Sequence, residues 1–499
     1  MNSEKKKQEY FSRPDWTGQI SLRRLMNLAY RRMLDQPGSD LTGRAAIRIA
    51  GPAAPGLCCI VSLAEGIRPL QRHSLALPAM LLFALATAPD AVAQSEPPPA
   101  WCLDRRFPAD QRIESCTFAL QSDRWSGQEE IQGYFNRGNA YYEKQDYDRA
   151  IADLTEAIRL DPSYPAARNN RGFAYAAKAD YDRAIADYDE AIKLDSKKPL
   201  YYYNRGLAYF SKENYDQALS DFNRTLALDP EQAKPYVDRG AVHVIRNDFD
   251  RGLADIDEGI RRDPTDATGY TLRAIVHKHK KQFDRAIADY SAAIKFGLTP
   301  AKALNAHFNR GIAYFETGDI DQAIADFDET IRRDPGHVLA HVNRGIAYDD
   351  KGDHDRAIVD FGVAIKLEPQ HAKAYMNRGA AYDKKGDHDR AIADYDEALR
   401  LDGKLAEAFN RRGIAYDDKG DHDRAIVDFD QAIRLDPSYA DAYNNRGLAY
   451  KEKADYDRAI ADFDAAIALE PDFAEAQGNR DAARELKKSR EAAIPPPQR

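Results

Sequence analysis

A glycine returns through this chain at a fixed interval, and that interval limits the fold more than any other feature. It stands at Gly138, Gly172, Gly206, Gly240, Gly311, Gly345, Gly379, Gly413 and Gly447, in steps of 34 residues apart from one step of 71. Ala274 fills the place 34 residues after Gly240, so the chain holds ten copies of one unit with three extra residues after the fifth. The seventh copy reads VLAHVNRGIAYDDKGDHDRAIVDFGVAIKLEPQ from Val338 and closes with His371. Each copy carries two helical patterns, expected at roughly positions 1–14 and 18–31 of the unit. A unit this small cannot bury its apolar face alone, so neighbours must stack. The expected fold class is an all-α solenoid of about ten helix-turn-helix repeats.

Copy one starts at Ile131 and copy ten at Ala440. Position 8 is the recurrent glycine, which inside a helix costs about 1 kcal/mol against alanine, so a close helix partner is expected there. Position 20 is alanine in nine copies and Gly252 in the fourth, read as the opposing small surface. Tyrosine holds position 11 in eight copies, from Tyr141 to Tyr450, and is read as core filling. Aspartate holds position 18 throughout, from Asp148 to Asp457, and is read as the cap of the second helix. Proline after an acidic residue, as at Asp161-Pro162, ends most copies and presets the next turn. Position 7 is arginine and position 23 aspartate in every copy, Arg344 with Asp360 and Arg378 with Asp394 among them. An ion pair between helices is expected, inside a copy or across to the next, giving register more than net stability because burial of charge opposes it. The alternative is two half-exposed side chains with their own solvent contacts. The extra residues between Phe296 and Leu304, with Gly297 and Pro300, predict a longer loop or a bend, and hence a joint between residues 131–303 and 304–473.

Ahead of the repeats, Arg68, Arg72 and His73 precede an apolar run from Leu75 to Ala88, and Ala91-Val92-Ala93 precedes Gln94. This is the pattern of a secretory signal peptide over residues 72–93, too short for a comfortable membrane span. The irregular residues 1–71 then imply initiation further downstream, with Val61 or Leu63 as start positions; the alternative is a buried or membrane-associated segment in a long N-terminal region. The exported chain would keep Cys102 and Cys116, natural disulfide partners whose loop is worth about 3 kcal/mol. Cys116 also falls on the small-residue slot 34 before Ala150, so it reads equally as a packing residue in a degenerate capping helix over Ile113–Gln121. Residues 94–130 form that N-terminal cap, and the polar run 474–494 a C-terminal capping helix ended by Pro495 to Pro497. Zinc is not expected at these cysteines, since no second cysteine pair or nearby histidine completes a tetrahedral set.

Whole units such as YNNRGLAYKEKADYDRAIADFDAAIALEP, Tyr443 to Pro471, resemble the tetratricopeptide repeat family over about seven-tenths of the chain. The segment CLDRRFPADQRIESCT, Cys102 to Thr117, is similar to the pre-repeat region of exported alphaproteobacterial members. The resemblance implies a right-handed superhelix whose inner groove, lined by first helices at positions 2, 5, 9, 12 and 13, receives a protein or peptide. Carried onto this chain, the early groove is aromatic and apolar: Phe135, Tyr142, Phe173, Tyr203, Phe210, Phe308 and Phe315, with Val237, Val244 and Ile312. The late groove is polar and acidic: Asp349, Asp383, Asn410, Asp417 and Asn444, with Asp350, Glu407 and Asp418. An extended ligand with an apolar and a basic part would suit this gradient. The position-five residues depart from the chaperone-tail-binding subgroup, so that ligand is not expected.

His354, His388 and His422 share position 17 in three adjacent copies, where tyrosine stands in others. Equivalent residues of stacked repeats lie about 10 Å apart, too far for one metal, so packing or turn hydrogen bonds are expected of them. The net charge of -9 and pI of about 5.8 argue against binding a nucleic-acid backbone. No phosphate-binding glycine loop, metal-spaced histidine pair or nucleophile elbow is found. The expectation is a non-catalytic scaffold without cofactor, binding a protein or peptide in the periplasm. Cytoplasmic residence follows if the leader is not processed, and a self-associating envelope protein is the rival role, with an enzyme-regulatory subunit behind it.

Overall fold

The computed structural model describes residues 100–122 and 125–493; the signal-like stretch 72–93, the residues before it and the closing prolines lie outside them. Among the described residues every element is a helix. None is long and apolar enough to cross a membrane. Two compact units divide between Leu228 and Asp229. The first contains α1 (Ala100–Leu103), α2 (Ala109–Gln121), α3 (Gln128–Glu143), α4 (Tyr147–Leu160), α5 (Pro165–Ala177), α6 (Tyr181–Leu194), α7 (Pro199–Ser211) and α8 (Tyr215–Leu228). The second opens with α9 (Ala233–Ile245), α10 (Phe249–Arg262), α11 (Ala267–His279), α12 (Phe283–Phe296), α13 (Pro300–Thr317) and α14 (Ile320–Arg333). It continues through α15 (Val338–Asp350), α16 (His354–Leu367), α17 (Ala372–Lys384), α18 (His388–Leu401), α19 (Ala406–Asp418) and α20 (His422–Leu435) to α21 (Ala440–Glu452), α22 (Tyr456–Leu469) and α23 (Ala474–Ala493). Within each unit a first helix packs on its own second helix, and that helix on the next first helix.

What holds a pair together is a ring laid on a glycine. Ten of the eleven largest fully buried side chains among the described residues are Leu154, Tyr188, Phe222, Ile256, Tyr290, Phe327, Phe361, Tyr395, Phe429 and Phe463, one from position 24 of each copy and a ring in all but Leu154 and Ile256; the eleventh is Phe210. A Cβ added to Gly206 would meet the Phe222 ring at 2.8 Å, and one on Gly413 the Phe429 ring at 2.6 Å. The alanine at position 20 touches the same glycine through its carbonyl, Ala184 O lying 3.1 Å from the place of a Gly172 Cβ. The expected small-on-small surface is therefore completed by an aromatic plug. The tyrosines at position 11 close the edge of this core: half-buried, they pack against it, as Tyr175, Tyr348 and Tyr416 do. Six of the eight also lie under the guanidinium at position 19, as Arg356 over Tyr348 at 4.3 Å and Arg149 over Tyr141 at 4.4 Å.

The caps also sit elsewhere than expected. The second helix begins at position 17, so its cap is position 16: Asp146, Asp180, Asp248, Asp319, Asp353, Asp387, Asp421 and Asp455 accept the N–H three residues on. The aspartate at position 18 lies inside the first turn, where its carboxylate suits the helix dipole but points outward. It takes a lysine from position 14 of the next copy: Lys280 Nζ reaches Asp250 at 3.1 Å and Lys487 reaches Asp457 at 2.5 Å. Lys178, Lys212, Lys351, Lys385, Lys419 and Lys453 do the same. The turn between paired helices passes through the left-handed region at position 15. Gly318, Gly352, Gly386 and Gly420 supply it in copies six to nine, whereas Gln145, Ala179, Glu213, Asn247, Lys281 and Ala454 adopt it in the others.

The ten arginines at position 7 grip their aspartates with two nitrogens. In Arg344 the Nε and Nη2 atoms donate to Asp360 at 2.8 and 2.6 Å, and in Arg378 to Asp394 at 2.8 and 2.7 Å. The third nitrogen often crosses to position 25 of the preceding copy, as from Arg412 Nη1 to Asp396 at 2.5 Å. Both geometries weighed from the sequence are thus used by one guanidinium.

The three extra residues make neither a loop nor a joint. Gly297, at φ 94°, ends α12, and Pro300 opens α13, whose 18 residues exceed the 13 of the first helices of this unit's other repeats by about one added N-terminal turn and one residue at the C-terminal end. The chain absorbs the insertion because proline is preset for a helix start and its missing N–H is not needed there. Helices on both sides of the insertion remain packed, and the division between units falls two copies earlier, at Asp229.

At the N-terminal end, α2 packs on α3 with Cys116 fully buried. The sulfurs of Cys102 and Cys116 lie 2.11 Å apart. Trp125 lies against Gly133, where a Cβ would meet its ring at 2.7 Å. At the other end α23 covers the last repeat, with Ala476 and Ala483 buried and Asn479 donating to Asn444 at 3.0 Å.

Candidate binding face

The first helices present positions 2, 5, 9, 12 and 13, and the structure divides the expected groove residues into two sets. Tyr142, Phe173 and Tyr203 are half-buried, with the rings of Tyr142 and Phe173 5.1 Å apart across two copies. Phe308 and Phe315 are likewise half-buried, Phe308 lying 4.7 Å from His337. Phe135 and Phe210, by contrast, are buried, Phe135 against Tyr164 and Phe210 edge-on to Tyr215 at 5.7 Å. Val237, Val244 and Ile312 are buried too. These residues are wall framework, because a large apolar side chain next to a neighbouring helix is drawn into the helix interface.

The asparagines are spent in the same way. Asn410 accepts from Asn445 at 3.0 Å and Asn444 from Asn479, while Asn169 accepts from Asn204 at 2.9 Å and Asn139 from Asn170 at 2.8 Å. Each bond ties a first helix to the next one, and each buried amide is expensive to leave unpaired. Asn410 and Asn444 are therefore ladder rungs and do not stand open for a ligand.

The acidic residues are also committed. Asp349, Asp383 and Asp417 occupy position 12, and the histidine at position 17 of the same copy turns its Nδ1 onto each: His354 at 2.7 Å, His388 at 2.7 Å and His422 at 2.6 Å. The turn hydrogen bond expected of these histidines is this one, spanning the turn between paired helices. Asp349 is buried and also accepts from Lys384 at 2.7 Å. Burial pushes the Asp383 carboxyl above its ordinary range, opposed by the His388 hydrogen bond. Glu407 is held by Arg411 at 2.7 Å. Asp350 and Asp418 remain exposed.

One residue of the face escaped the sequence reading. Lys278, at position 12 of copy five, donates to Asn309 at 2.6 Å, and burial pushes its ammonium down to about 8. Its register in the 34-residue period was the available clue; its desolvation was not, since that depends on the neighbouring copy.

Three sequence models meet the chain. One described as TPR repeat matches residues 138–179, 177–212 and 415–454. Two described as tetratricopeptide repeat match 199–232, 372–405 and 440–473, and 237–303 and 308–366. No curated protein matches. Among solved structures the chain is similar to MamA, with 30% identity over 33% of this chain and 96% of MamA at a TM-score of 0.31. It is similar also to YrrB, described as a TPR protein with an unusual peptide-binding site, at 21% identity, 38% and 95% coverage and a TM-score of 0.35. A tetratricopeptide repeat protein from Parabacteroides merdae gives 19%, 50%, 98% and 0.37. With the repeat models together covering more than half of the residues, and every copy folded as a helix pair closed on its own glycine or alanine, this chain belongs to the tetratricopeptide repeat family.

Proposed function

We propose that this protein is a non-catalytic scaffold that holds a protein or peptide against its first helices, and that the aromatic face of copies one to three is the gripping surface. The observation that carries this is the half-exposed series Tyr142, Phe173 and Tyr203. Aromatic rings kept partly in water on a rigid helical frame offer large contact area at small entropic expense. The acidic half of the gradient contributes less than the sequence suggests, because Asp349, Asp383 and Asp417 already have internal partners. Self-association through the same face is the competing use.

Photo-crosslinking separates these readings. An aromatic photoprobe replacing Phe173 or Tyr203 should give discrete adducts with one recurrent partner, and one replacing Val359, exposed on a second helix, should give none. Equal labelling from all three positions would sink the proposal; adducts with the chain itself would favour self-association.

We further propose export to the periplasm. The signal-like residues 72–93 support it, as do the paired cysteines Cys102 and Cys116, a disulfide suited to an oxidising compartment. N-terminal sequencing of native protein should begin at Gln94; a chain that retains the apolar run would refute export by this leader.

A further inference from the structure

The aspartate–histidine pair at positions 12 and 17 occurs three times running, and the three sites differ in what the next first helix brings to position 13. After Asp349 and His354 it brings Lys384, whose ammonium lies 2.7 Å from Asp349 Oδ2. After Asp417 and His422 it brings Glu452, which pairs with its neighbour Lys451 at 3.5 Å. After Asp383 and His388 it brings Asp418, and one ligand atom from each of these three residues lies within 4.8 Å of the others. Among the described residues this is the one such group. We propose that Asp383, His388 and Asp418 form a divalent transition-metal site that joins copies eight and nine.

The first junction shows what the second needs. There a built-in cation sits on the position-12 carboxylate, whereas in the second a further carboxylate faces it. Arg411, whose charge also acts on Asp383, is committed to Glu407, with two nitrogens at 2.9 and 2.7 Å. The hydroxyl of Tyr395 is fully buried without a hydrogen-bond partner, and the charges acting on it are those of Arg411, Asp383, Glu407 and Asp394. Ligands held at about 2.2 Å from one ion lie no more than about 4.4 Å apart, so these atoms, already within 4.8 Å of one another, need close by no more than about 0.4 Å. One imidazole and two carboxylates suit zinc, nickel or manganese, with water completing the sphere on the exposed side. This goes beyond the scaffold reading and does not depend on it.

Isothermal titration of the untagged full chain with zinc chloride and manganese chloride tests it. One equivalent of ion is expected. Asp418→Lys, which copies the junction that already carries Lys384, should weaken binding more than about 100-fold, beyond the usual loss of an outer-sphere partner. His388→Tyr, which copies Tyr456 of the tenth copy, should do the same while keeping the fold. Lys384→Asp should create a second equivalent at Asp349 and His354. A wild-type chain that takes up neither ion, a variant at 418 or 388 that keeps full affinity, or a Lys384→Asp chain that still takes one equivalent would overturn the assignment.

Discussion

Copy three and copy eight use one backbone for two chemistries. At positions 12 and 17 copy three has Phe210 and Tyr215, edge to face at 5.7 Å; copy eight has Asp383 and His388, hydrogen-bonded at 2.7 Å. Beneath both pairs lies the same arrangement, a position-24 ring on a position-8 glycine and an arginine gripping its aspartate. The difference teaches that the helix pair is closed by its core, while the wall positions vary from copy to copy: aspartate at position 12 meets histidine at position 17 in copies seven to nine, and ring meets ring in copies one and three.

The largest expected effect comes from breaking that matching. Phe210→Asp would leave a buried carboxylate facing a tyrosine, at a loss of about 3–5 kcal/mol. Adding Tyr215→His should restore a substantial part of it, as read by urea denaturation followed by circular dichroism. If the double variant is no better than the single one, the two positions are not coupled and the comparison fails.

Next come the shared parts. Gly206→Ala and Gly413→Ala each push a methyl into a ring, at 2.8 and 2.6 Å, and should lose about 1–3 kcal/mol in both regions alike. A loss confined to one copy would show that the cores are not equivalent.

A smaller difference separates the turns. Ala179 holds a φ of 60° where Gly386 holds 76°. Ala179→Gly should gain, and Gly386→Ala lose, about 1 kcal/mol in thermal or urea unfolding. Opposite signs in the two copies are the sharp expectation, since a shared sign would mean that the turn conformation does not set the effect.

The smallest effect is on pH. His337 caps α15 by accepting the Ala340 N–H on Nδ1 at 3.1 Å, and burial holds its pKa below the ordinary value, against the pull of Asp334 and with the help of His341. The unfolded chain therefore takes up the proton first. This contribution, under about 1 kcal/mol, is complete above about pH 6.5 and is lost as the pH falls from there through the lower folded-state value. His337→Asn keeps a cap without the titration, so its melting temperature should fall less between pH 7 and pH 5.5 than that of the wild type.

Much of the fold was legible because the copies repeat one physical problem ten times. The tight glycine at position 8, the arginine–aspartate pairing and the polar end helix all follow from residue types at fixed spacing. The plug at position 24 was just as regular, as Tyr188, Phe222 and Phe463 show, yet an aromatic periodicity does not say which of two aromatic rows enters the core. Tyr348 looked equally suited and packs only at the core's edge, half-buried beneath Arg356. Caps were misplaced from position 16 to 18 because two aspartates bracket the helix start, and a one-residue shift of that start decides which can reach the free N–H.

The candidate face was less legible for a related reason. Phe173 and Phe210 are the same residue type on the same kind of helix, yet Phe210 is buried with Tyr215 of its own copy while Phe173 stays half-exposed beside Tyr142 of the preceding one. The 34-residue period, with two apolar helical stripes too narrow to fold alone, by itself determined that helix pairs must stack. Burial, desolvation and the meeting of Asp383, His388 and Asp418 were decided by tertiary structure alone, because they depend on distances between residues of successive helices, which spacing along the chain does not contain.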